Sequence, residues 1–138
     1  SHSRGSKKGR VAVVFVSTQE KNPAYALTTM AHEIGHALGA ADAYDPDTSQ
    51  SIHPLGFVEP FREPLYPQRY AELMAVDIPV SPQVEMEVTG LNQLRVGYRT
   101  AADMGWIDPE RASLFYTPPA LTPEERLDHA TIPTEPPR

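Results

Sequence analysis

His32 and His36 stand four positions apart with Glu33 beside the first, in the stretch His32-Glu33-Ile34-Gly35-His36. That spacing is productive only on a helix. Residues i and i+4 share one helical face, so both imidazoles can reach a single Zn²⁺. Glu33 sits one position round, within reach of a water on such an ion without being a ligand itself.

The flanking residues predict that helix. Val11-Ala12-Val13-Val14-Phe15-Val16 reads as a buried β-strand, followed by a polar turn from Ser17 to Lys21. Asn22 is a suitable N-cap, with Pro23 at the first helical position, where its missing N–H does no harm. No further proline interrupts the chain before Gly39, which is placed to end the helix in a left-handed turn. Leu27, Met30 (or Ala31), Ile34 and Leu38 recur at spacings of three and four and predict a core-facing stripe.

A catalytic zinc site usually takes three protein ligands and keeps one position open. Asp42 follows Gly39 by three residues, so a turn at the glycine would bring its carboxylate to the ion. His53 is the alternative third ligand. Asp45 and Asp47, around Pro46, are read first as turn formers and second as a weak Ca²⁺ site. His2 and His129 lie near the ends and are read as inert.

The pattern His32-Glu33-x-x-His36-x-x-Gly39-x-x-Asp42 resembles the extended zinc signature of the metzincin metalloendopeptidases, in its aspartate-bearing variant. Asp42-Ala43-Tyr44-Asp45 is similar to metzincins that carry Asp-x-Tyr-Asp after the glycine. Ala71-Glu72-Leu73-Met74-Ala75 resembles the Met-turn, which implies that Met74 forms a hydrophobic floor beneath the metal; Glu-Leu-Met-Ala is closest to the leishmanolysin-type branch. Residues 91–105, with Met104-Gly105-Trp106, resemble that branch's closing helix. The position two residues after the methionine, a tyrosine in several metzincins, is Val76 here. Tyr44, Tyr66 and Tyr70 remain as candidates to steady an oxyanion.

The expected fold class is α+β: a metzincin-like zincin domain over residues 11–107 with an active-site helix, a long proline-rich loop at 43–70, the Met-turn and a C-terminal helix. Val84 to Val88 alternates like a short strand. Residues 1–10 read as a linker or a remnant of processing, and 108–138 as a proline-rich extended tail with a short helix at 123–130. The resemblance implies several strands before the zinc helix, and one is visible. A single strand needs edge partners, so an upstream chain segment or an oligomer partner is expected to pair with residues 11–17.

The resulting expectation is a Zn²⁺-dependent endopeptidase acting on peptide or protein substrates, with Glu33 as general base and His32, His36 and Asp42 as metal ligands. The alternative is an inactive zinc-binding or calcium-binding interaction domain. A net charge of −6 argues against a nucleic-acid surface, and no apolar run approaches membrane-spanning length. The chain has no cysteine, which suits a cytoplasmic protein or a bacterial secreted one and excludes disulfides and thiol chemistry.

Overall fold

The computed structural model describes residues 4–6, 11–15, 17, 19 and 21–115. They form a small α+β arrangement built on one long helix, α1 (Pro23–Leu38). Asn22 caps its start through Oδ1, which accepts from the Tyr25 amide, and its Nδ2 donates to the Val88 carbonyl. The cap thus fixes the helix to a second chain segment. At the far end Gly39 takes φ 112°, a left-handed conformation that a residue with a Cβ adopts only at a cost. Both ends lie where the sequence places them.

The buried face of α1 is not the predicted one. Leu27, Met30, Ile34 and Leu38 are 46%, 41%, 53% and 39% exposed, whereas Ala24, Thr28, His32, Glu33, Gly35 and Ala37 are buried. The helix packs through its small residues, with half-buried Ala31 joining the core and Met30 outside it. The cause is proximity. Met74 presses so closely on α1 that a Cβ at Gly35 would meet its sulfur at 2.7 Å. Hydrophobic periodicity weighs side chains by size and misses a face chosen for close approach.

Two strands, β1 (Arg4–Ser6) and β2 (Val11–Val13), pair antiparallel with Arg4 opposite Val13, and this ribbon packs on α1. The expected buried strand is therefore shorter than 11–16 and open on one side: Val13 and Phe15 are 48% and 57% exposed. One edge of β2 is covered from within the chain, by a segment read above as a linker.

Beyond α1, residues 43–70 run without helix or strand apart from a bridge between Tyr44 and Ser51, as the prolines predict. Buried Gln68 pins this loop. Its side chain bonds the backbone of Glu59 and the Leu65 carbonyl, and its amide donates to Pro79. Two short strand pairs follow, formed by β3 (Ala71–Glu72), β4 (Ile78–Pro79), β5 (Glu85–Met86) and β6 (Leu94–Arg95). β3 pairs parallel with β6, and β4 antiparallel with β5.

The helix expected over 91–105 is broken up. Leu91–Gln93 forms a 3-10 turn, β6 follows, and α2 (Tyr98–Asp103) begins only after Gly97. Leu94 explains the interruption, because it packs against both core clusters while β6 bonds β3. One cluster gathers Ala40, Ala43, Leu73, Met74 and Ala75 and the other Ala24, Ala71, Ile78 and Val88. The tail also starts later than predicted. Asp108 precedes α3 (Pro109–Leu114), and Phe115 stacks on Tyr98 with ring centroids 3.6 Å apart. The helix expected at 123–130 lies outside the described residues. Among those described, no helix is long and apolar enough to cross a membrane.

Candidate metal centre

The helical spacing does for His32 and His36 what it predicts: their rings stand 4.6 Å apart on one face of α1. Gly39 then reverses the chain, and Asp42 returns beneath them. Its Oδ1 lies 3.1 Å from His32 Nε2 and 2.8 Å from His36 Nε2. Tetrahedral zinc bonded at about 2.0–2.1 Å sets its ligand atoms roughly 3.3 Å apart, close to what is seen. Among the described residues this is the one group of three or more such side chains whose ligand atoms converge within 4.8 Å.

The hydrogen bonds behind the imidazoles decide which atoms face the site. His32 Nδ1 lies 3.2 Å from the Leu73 carbonyl, and His36 Nδ1 lies 2.9 Å from the Ala40 carbonyl. A carbonyl can only accept, so each Nδ1 carries the proton and donates. A ring that carries its one proton at Nδ1 turns a bare Nε2 lone pair towards the Asp42 carboxylate. Three electron-rich atoms at this separation repel unless a cation or a proton lies between them. Burial, the largest influence on His32, lowers its pKa below the ordinary value, and the positive charge on a neighbouring His36 would act the same way; the Leu73 carbonyl, Asp42 and Glu33 oppose this. A proton is thus disfavoured at that ring, and the donor set fits a divalent ion of the zinc type.

Glu33 is buried at 6% exposure, and its Oε2 has no hydrogen-bond partner. Buried oxygens are rarely left so. Asp42, 44% exposed at its side chain, leaves one flank of the site open to solvent. Tyr44 is the one of the three candidate tyrosines that stands here, its ring centroid 6.1 Å from that of His32. Burial, Asp42, Glu33 and Tyr25 all raise its pKa, so its hydroxyl stays a donor at neutral pH. Tyr66 packs on Phe57, and Tyr70 lies under the Arg95 guanidinium.

His53, the alternative third ligand, is elsewhere. Its Nε2 bonds the Pro60 carbonyl at 2.8 Å and its ring packs against Phe57, so local aromatic packing has claimed it. Asp45 Oδ1 accepts from the amides of Asp47 and Thr48, a turn role, and no cluster of oxygen ligands gathers there among the described residues. Met74 is fully buried against the helix backbone at Gly35, between the two histidines in sequence. The turn around it closes through the Ala75 and Val76 amides, both donating to the Glu72 carbonyl.

Sequence reasoning missed the backbone carbonyls of Leu73 and Ala40, since main-chain groups leave no mark in a sequence. It also passed over Glu72, although one acid inside the apolar run Ala71 to Val76 was a readable signal. No protein-family model, curated protein or solved structure matches this chain.

Proposed function

We propose that the chain is a zinc-dependent endopeptidase of metzincin type. The observation that carries this reading is the convergence of His32 Nε2, His36 Nε2 and Asp42 Oδ1, with each imidazole bonded to a backbone carbonyl through Nδ1. Those three atoms would hold the ion. Zinc, when bound, supplies Lewis-acid polarisation of a water and of a substrate carbonyl.

The remaining work belongs to the chain. Glu33 accepts the proton of the attacking water at its partnerless Oε2 and passes it to the departing amine, so one C–O bond forms as the C–N bond breaks. Burial of the carboxylate strengthens that exchange by excluding competing water. Tyr44 offers its hydroxyl to the oxygen that gains charge. The open flank at Asp42 admits an extended peptide.

Glu33→Gln separates the base from the ligands. It should retain one zinc per chain by elemental analysis while cleavage of a labelled unfolded protein falls at least about a hundredfold. Full activity in that variant refutes the mechanism. Wild-type protein that binds zinc and cleaves nothing is instead an inactive zinc-binding module.

A further inference from the structure

We infer that Glu72 is a positioning residue for the metal site, acting through the two carbonyls that follow it in the chain. The inference rests on reading His32, His36 and Asp42 as ligands.

Glu72 has no exposed surface, and it is a carboxylate in a run of alanine, leucine and methionine. Its two oxygens do different things. Oε2 accepts from the Met74 amide at 2.6 Å, within the turn itself. Oε1 accepts from the Gly97 amide at 2.9 Å, twenty-five residues away at the start of α2. The Thr100 hydroxyl adjoins the group without a well-aligned hydrogen bond. One side chain therefore both folds the turn and bolts it to another element.

The turn's outward carbonyls then reach the ligands. Leu73 oxygen receives the His32 Nδ1–H, fixing that ring's tautomer and direction. Met74 oxygen accepts from the Ala43 amide at 2.9 Å, and Ala43 is the residue after Asp42. Consecutive carbonyls of one turn thus hold a helix ligand and the loop ligand in mutual register. Groups that orient metal ligands from behind typically change affinity by about 10–100-fold when removed. Glu72 stands one step further back and acts on two ligands together. A residue that only supported the fold would lower stability and leave the coordination geometry alone.

Glu72→Gln keeps the shape but turns an amide N–H₂ towards one of the two backbone N–H groups. Zinc affinity by competition with a chromophoric chelator should fall about tenfold or more. The visible spectrum of the Co²⁺-loaded protein should shift, with far-ultraviolet circular dichroism unchanged. Gly97→Pro is the second variant: φ at Gly97 is −73°, which proline accepts, and the substitution deletes one donor without touching Glu72. It should weaken zinc binding several-fold, and it decides the matter if Glu72→Gln does not fold. Glu59→Gln, which releases Arg69 rather than the turn, should leave affinity and spectrum as in wild type. Wild-type affinity and spectrum in the folded Glu72→Gln or Gly97→Pro protein, at a lowered melting temperature, overturn the positioning role alone. Wild-type protein that binds no zinc overturns the ligand reading, and this inference with it.

Discussion

Asp77 follows the Met74 turn directly, and one of its carboxylate oxygens is buried without a hydrogen-bond partner. Burial, then the charges of Glu85 and Glu87, push its pKa from 3.8 to about 6. A folded-state value above the unfolded one means that the neutral acid favours the fold. That contribution is complete below about pH 3.8 and is lost as pH rises through about 6. Asp77→Asn should match wild type in urea denaturation near pH 4. By pH 7–8 it should exceed it by about 1 kcal/mol, less than the full shift implies because solvent screens a half-exposed group. Parallel stability profiles for the two proteins across that range exclude the effect. At this scale the cluster of proposed ligands was legible, since His32, His36 and Asp42 are side chains at telling intervals. Glu72 left a mark that went unread, a lone acid in an apolar run, and Asp77 left none, because its burial depends on segments distant in sequence.

At the scale of elements, α1 divides its duties by face. The stripe of Leu27, Ile34 and Leu38 meets solvent, and the alanine–glycine face meets Met74. Truncating Leu27 or Ile34 to alanine should therefore change stability by no more than about 0.5 kcal/mol. Met74→Ala removes a side chain with no exposed surface and should cost about 2–5 kcal/mol. Thermal or urea melts of the three variants test the contrast, and equal losses would reinstate the stripe as core. The helix itself was readable from Asn22, Pro23 and Gly39, because caps act locally. Its orientation was not, since that depends on what arrives from residues 71–75. The same reason hid the break at Leu94 to Gly97, where pairing with β3 overrides helical spacing. α3 went unread within the expected tail, although Asp108 and Pro109 repeat the residue types of Asn22 and Pro23; the Asp108 side chain makes no capping bond.

For the molecule as a whole, the proposed ligands all come from residues 32–42, a stretch already set by α1 and its glycine cap. Backbone carbonyls from Leu73 and Ala40 hold both rings without help from an ion. Metal removal should thus leave the fold standing, unlike a zinc finger, which unfolds. Chelator-stripped protein should keep its helical circular dichroism, and zinc at a hundred times its dissociation constant should raise stability by about 2.7 kcal/mol. Loss of helix on stripping contradicts this. The outer face of α1 has a practical consequence too. Ile34 is 53% exposed although its chain neighbours, Glu33 and Gly35, are both buried. A cysteine placed there, in a chain that has none, would carry a fluorophore or spin label on the helix that bears Glu33, clear of the His32–His36–Asp42 cluster, and would report metal binding without obstructing it.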